Sequence, residues 1–276
     1  MARIALFQSC TGIDPAANAQ RLVEAIGEAA GGGAQMLFTP EMSGLIDRDS
    51  ERAARQLRTE EEDKVLAASR DAAKRHGLWL HLGSLALRTD EQKLANRTFV
   101  IDPVGAIRAR YDKIHLFDVD LPTGESWRES AVYRPGAGAV VVEGTPVGRL
   151  GLAICYDLRF PDLFSRLAEA GALTIAVPAA FTVPTGRAHW EVLLRARAIE
   201  AAAFVVAAAQ SGRHADGRET YGHSLVVNPW GEVLLDMAEG VGMGFADIDL
   251  ARVDEVRRRI PSLAHRRPIA AAEVMQ

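Results

Sequence analysis

Cysteine is nearly missing from this 276-residue chain, with Cys10 and Cys155 the only two. So few thiols exclude a disulfide framework as the organising principle, and a reducing, cytoplasmic setting is the expectation. No Cys/His spacing of the zinc type occurs either, so neither a structural metal nor a cofactor is expected. Long hydrophobic runs are lacking too. Nothing approaches the ~20 apolar residues of a membrane span, and "MARIALFQSC" turns polar too early for a signal peptide. An excess of one charge is also absent: 32 basic residues face 36 acidic ones, for a net charge of −4. The arginine-rich "RVDEVRRRI" holds Asp254 and Glu255 among its arginines, which suits a solvated helix face and not a nucleic-acid groove. Partners are therefore expected among small molecules, with no nucleic acid and no membrane.

What remains is an ordinary globular composition, 48% hydrophobic and 25% charged, enough for a substantial core. No Ser/Gly linker divides it, and one α/β domain over residues 1–276 is expected. "RIALFQ" (3–8) reads as a buried strand. Asp14 and Pro15 then form an N-cap and first-turn pair, Leu22, Ile26 and Ala29 recur at helical spacing, and "GGG" (31–33) ends the helix. "QMLFTPE" (35–41) is a second strand, which places Glu41 just beyond a strand end, where open α/β sheets build their sites. Acidic residues 60–63 suit the first turn of a helix running to His76. Strands are expected near 78–87, 95–101, 173–181, 204–210, 221–228, 232–236 and 242–250. Helices are expected near 162–170 and 186–203, the latter with Trp190, Leu193 and Leu194 as its core stripe. "DPVG" (102–105) and "NPWG" (228–231) share one turn chemistry and hint at two similar β-rich halves. Residues 116–135 lack periodicity and read as a long functional loop. "GVGMG" (240–244) imitates a dinucleotide loop, but a strand follows it where a helix would be needed.

The chemistry concentrates at "GRLGLAICYDLRFPDLF" (148–164), where an apolar strand delivers Cys155 to a polar, proline-marked turn. A cysteine in an apolar run is commonly inert packing. As a nucleophile it needs a base or a positive neighbour, because only the thiolate attacks. Glu41 in "FTPEMS" and Lys113 in "RYDKIHLFD" supply both, each at another expected strand end. A Cys-His pair is the mechanistic alternative, with His115 and His223 as candidates; His115, beside the lysine, reads as structural.

The segments "FTPEMS", "YDKIHLFDVDLP" and "GLAICYDLRFPDLF" resemble the three signatures of the nitrilase, or carbon-nitrogen hydrolase, superfamily. "PTGRAHWEVLLRARAIE" and "YGHSLVVNPWGEV" are similar to its branch of deaminated-glutathione amidases and omega-amidases. The resemblance runs from about Arg3 to Arg267. It implies a four-layer α-β-β-α sandwich that pairs into dimers or larger assemblies. It also implies a Glu-Lys-Cys triad of Glu41, Lys113 and Cys155, with a second glutamate in the intervening loop, matched by Glu129, with Glu125 the neighbouring candidate. Tyr156 would offer its backbone N–H to an oxyanion. Phe181 and Thr182 would line the pocket, with Ala179 where the family commonly has serine. Arg159 is a candidate carboxylate clamp, or else a structural partner of Asp157 or Asp162. The activity implied is cofactor-free thiol hydrolysis of a small carboxylate-bearing amide. Deaminated glutathione leads as substrate and 2-oxoglutaramate follows, with nitriles and N-carbamoyl compounds lower. A non-catalytic binding protein on the same fold is the reading from another class.

Overall fold

The computed structural model describes residues 1–120, 124 and 126–275. Its frame is a pair of six-stranded sheets. The first runs Gly242–Ile248, Ala2–Gln8, Met36–Phe38, Trp79–Arg88, Leu94–Ile101 and Ile107–Asp112. The second runs Val233–Asp236, Leu225–Val227, Phe204–Ala207, Thr174–Ala176, Gly148–Leu152 and Val140–Thr145. Helices Pro15–Gly31 and Lys64–His76 cover the first sheet, and Pro161–Glu169 and Val183–Ala201 cover the second. The result is an α-β-β-α sandwich.

Alternation along the strands explains the layering. Ile4, Leu6, Met36, Phe38 and Val100 join Leu150, Leu152, Ile175 and Val206 in the core between the sheets. The residues between them, Ala5, Leu37, Phe99 and Ile101, point to the opposite face and pack with Leu22, Ile26 and Leu66 of the covering helices. Successive strand side chains face opposite ways, so a strand buried on both faces reads as one apolar run. That is why "RIALFQ" and "QMLF" show no hydrophobic-polar alternation.

The two sheets repeat one plan. In each, three parallel strands are flanked by one antiparallel strand on one side and an antiparallel hairpin on the other. The hairpin turns are the two matched tetrapeptides. Asp102 Oδ1 accepts from the N–H groups of Val104 and Ala106, and Asn228 Oδ1 from those of Trp230 and Glu232. Gly105 and Gly231 both take positive φ, 79° and 84°, as this closure requires.

Several local expectations shift. Residues 60–63 precede their helix: Asp63 is its N-cap, accepting from Leu66 N, while Glu60 pairs with Arg97 and Arg110. Strand 173–181 ends at Ala176, since Pro178 has no N–H for a ladder and its carbonyl instead accepts from Cys155 N. The expected loop over 116–135 contains a hairpin, Asp118–Asp120 with Ser126–Arg128, and a helical turn, Glu129–Val132. Charged and polar residues dominate it, so no apolar period marks these elements. Strand Val140–Thr145 and helix Ser50–Gln56 were not anticipated.

Candidate active site

Three strand ends of the sandwich converge on one cavity of about 930 Å³, lined among others by Glu41, Lys113, Glu129 and Cys155. Glu41 follows Met36–Phe38, after Pro40. Its backbone is fixed on both sides: Gln210 Nε2 donates to its carbonyl, and Ser84 Oγ accepts from Met42 N, where φ is 57°. Lys113 follows Ile107–Asp112, its N–H bonded to Asn96 O and its carbonyl to Gly136 N. Cys155 opens a 3₁₀ turn, Cys155–Arg159, three residues past strand Gly148–Leu152. Its φ of 49° puts a non-glycine residue in the left-handed region, the kind of strained strand-to-helix turn that presents a nucleophile.

The charged groups are tightly interlocked. Lys113 Nζ donates to Glu41 Oε1 at 2.9 Å and to Glu129 Oε1 and Oε2 at 3.0 and 2.8 Å, which accounts for all three ammonium protons. Asn96 Nδ2 donates to both glutamates. Glu41 Oε2 accepts from Ala180 N, and Glu129 Oε2 from Phe117 N. Glu41 and Lys113 are buried here and Glu129 is partly buried, and this web of charge-assisted bonds offsets their desolvation. Burial would lower the Lys113 pKa, yet Glu129 and Glu41 outweigh it and hold the ammonium well above its ordinary range. The Cys155 thiol is pushed well up, chiefly by burial and then by the charge of Glu41, with Lys113 opposing. The thiol therefore rests protonated and needs a base.

Asp157 fastens the cysteine turn to the lysine strand. Its Oδ2 accepts from Tyr111 OH and Ile154 N, and its Oδ1 from His115 N, with His115 Nδ1 at 2.7 Å. His115 is thereby occupied, and its ring stacks on Phe160. His223 pairs with Asp236. Among the described residues no histidine lines the cavity.

The other expected residues fall out as follows. Tyr156, Phe181 and Thr182 line the cavity; Thr182 Oγ1 lies 2.8 Å from Thr185 Oγ1. Ala179 is fully buried and outside the lining, and the neighbouring contribution comes from Ala180 through its backbone. Arg159 is not among the lining residues and has no carboxylate partner among the described residues, neither Asp157 nor Asp162. Its guanidinium stands 5.9 Å over the rings of Tyr156 and Phe181 and 3.3 Å from His189 Nδ1. Glu125 lies outside the described residues. Sequence reasoning did not single out Asn96, Tyr133, Trp127, Arg48 and Arg218, all of which line the cavity. For Asn96 a signal exists, a buried polar amide in the strand "LANRTFVI"; Arg48 and Arg218 sit in irregular segments, and Trp127 and Tyr133 in or beside short polar elements, where no pattern flags them. No three His, Cys, Asp or Glu side chains converge in a metal-holding group among the described residues.

A sandwich of this plan, with a cysteine, two glutamates and a lysine gathered at its strand ends, is the architecture of carbon-nitrogen hydrolysis. The carbon-nitrogen hydrolase family matches residues 3–258, and the chain belongs to it. Among curated relatives, the deaminated glutathione amidase of Bos taurus is 43% identical over 96% of this chain and 82% of its own length. That of Yersinia enterocolitica is 38% identical over 98% and 94%. Among solved structures, the Caenorhabditis elegans NitFhit protein superposes with a TM-score of 0.89 at 40% identity, covering 96% of this chain and 65% of that longer one.

Proposed function

We propose that the chain is a cofactor-free thiol amidase that hydrolyses deaminated glutathione to 2-oxoglutarate and Cys-Gly, a metabolite-repair reaction. The observation that carries this reading is the placement of Glu41, Lys113 and Cys155 around one cavity, with a thiol whose pKa is raised beside a carboxylate able to take its proton. The names of the bovine and Yersinia relatives support the substrate.

Glu41 removes the Cys155 proton as sulfur attacks the amide carbon, which forms the C–S bond without a standing thiolate. The oxyanion is met by Lys113 and the backbone N–H of Tyr156. All three Lys113 protons are already engaged at rest, so one contact must be released. Protonating Glu41 weakens its hold on the ammonium at the moment the oxyanion appears, and Glu129 keeps the lysine in place. Glu41 then protonates the leaving amine, the C–N bond breaks, and a thioester remains. Water, deprotonated by Glu41, attacks that thioester and frees the acid and the thiol. Phe181 and Thr182 bound the acyl site, and Arg159, which stands over the Tyr156 and Phe181 rings outside the lining, turns inward to take the 2-oxo acid end of the substrate.

No described helix is long and apolar enough to cross a membrane. A single catalytic domain over residues 1–276, a cytoplasmic setting and a homodimer or larger homo-oligomer complete the proposal. Two unpaired cysteines are compatible with a reducing compartment, and exposed Val192, Ile199 and Trp230 offer an apolar face for self-association.

The test is a substrate panel. Deaminated glutathione should release free thiol dipeptide with a higher kcat/KM than 2-oxoglutaramate releases ammonia, and simple nitriles and N-carbamoyl amino acids should trail both. A clear preference for 2-oxoglutaramate would reassign the enzyme to omega-amidase chemistry on the same triad. Turnover of none of these amides would overturn the reading.

A further inference from the structure

An aromatic wall runs through the cavity, with Arg159 against one end from outside the lining and two arginines at the other. Tyr156 packs edge-on against Phe117 at 5.0 Å between ring centroids, and Phe117 meets Trp127 at 6.2 Å. Arg159 stands over Tyr156 at the nucleophile's end. At the far end two guanidinium groups crowd the Trp127 ring, Arg218 at 4.8 Å and Arg48 at 5.4 Å from its centroid. All of these except Arg159 line the cavity.

Arg218 is poorly compensated for so enclosed a cation. Its side chain is 17% exposed, and its carboxylate neighbour, Asp216, lies 3.4 Å away. Asp216 Oδ2 nevertheless has no hydrogen-bond partner, and neither has Arg218 Nε, so the ion pair is not a hydrogen bond. Asp47 is bonded to Arg52 at 2.6 Å, and Glu41, whose charge also reaches Arg218, is engaged by Lys113, Asn96 and Ala180 N. Burial, and after it the repulsion of Arg48, work against the charge on Arg218 and outweigh the support of Asp216 and Glu41. A guanidinium held this way, against the face of an indole and with its Nε unpaired, is preorganised for an incoming carboxylate.

We propose that Arg218 binds the glycine carboxylate of the leaving dipeptide. The inference rests on the reading of deaminated glutathione as substrate. That compound carries carboxylates on both sides of the scissile amide, one on the 2-oxoglutaryl group and one on the terminal glycine. With the acyl end toward Arg159 and its carbonyl at Cys155, the dipeptide extends along Phe117 and Trp127 toward the second cationic end. A substrate such as 2-oxoglutaramate has nothing to place there. Arg218 is thus a specificity determinant, favouring a peptide-like leaving group over ammonia.

The experiment compares deaminated glutathione with its C-terminal carboxamide, using the parent enzyme and Arg218→Gln and following free thiol dipeptide. In the parent, amidation should raise KM by about tenfold or more, the scale of one lost charge-assisted hydrogen bond, with kcat little changed. In Arg218→Gln, KM for the acid should rise by a similar factor and the acid-to-amide ratio should fall toward one. The parent comparison needs no variant, so misfolding of Arg218→Gln leaves it decisive. Equal KM values for the two peptides in the parent, or an unchanged ratio in Arg218→Gln, would overturn the assignment of Arg218 while leaving the amidase reading intact. Hydrolysis of 2-oxoglutaramate but of neither peptide would overturn both.

Discussion

At the scale of single residues, the site sets thiol reactivity and turnover against each other. Burial and then Glu41 raise the Cys155 pKa, and Lys113 opposes them. Alkylation by iodoacetamide should therefore be slow at neutral pH and rise only above the ordinary thiol value of 9.0. The signs of two variants follow. Glu41→Gln removes an anion, so the alkylation midpoint should move down in pH while turnover collapses. Lys113→Ala removes a cation, so the midpoint should move up, with kcat falling by at least ~10²-fold, the scale of one lost oxyanion donor. A Glu41→Gln midpoint that moves upward would contradict this balance of charges. Glu41, Lys113 and Cys155 were legible in the sequence because each combines a reactive group with a strand end. Arg48, Trp127 and Arg218 were not, since two irregular segments and one three-residue strand bring them together and no periodicity records such a meeting.

At the scale of elements, Asp157 deserves a test because it joins two of them. Its carboxylate holds Tyr111 and His115, on either side of Lys113, and Ile154, just before Cys155. Asp157→Asn keeps the shape but turns one acceptor into a donor that faces N–H and O–H groups. We expect kcat to fall at least ~10-fold with Tm lowered, since a buried donor left unpaired costs about 1–3 kcal/mol. Full activity measured in this variant would show that the clamp is dispensable. The sequence reading named Asp157 only as a partner for Arg159, because proximity along the chain is visible there and the reach to Tyr111 is not. Helix Pro15–Gly31 was legible nearly to the residue, its cap and its stop being local signals. The pairing of two sheets back to back was not; unalternating strands such as "RIALFQ" announce burial on both faces without saying what covers each.

At the scale of the whole molecule, the matched turns at Asp102 and Asn228 close equivalent hairpins in two sheets of one plan, so the late turn was a sign of architecture. In the second turn Trp230 is 45% exposed, and on helix Val183–Ala201 Val192 is 68% exposed and Ile199, beside Gly231, 53%, a surface expected to be covered by a second copy. Light scattering should find a dimer or larger species, and Trp230→Glu with Ile199→Glu should shift it toward monomer; a monomeric parent would refute that expectation. The central claim is the covalent step on one of the two cysteines. Acid quench of the enzyme during turnover of deaminated glutathione, followed by peptide mass analysis, tests it most directly. One 2-oxoglutaryl group is expected on the peptide bearing Cys155, none on Cys10, and neither adduct nor turnover in Cys155→Ala. An acyl group on any other residue, or sustained turnover by Cys155→Ala, would contradict it.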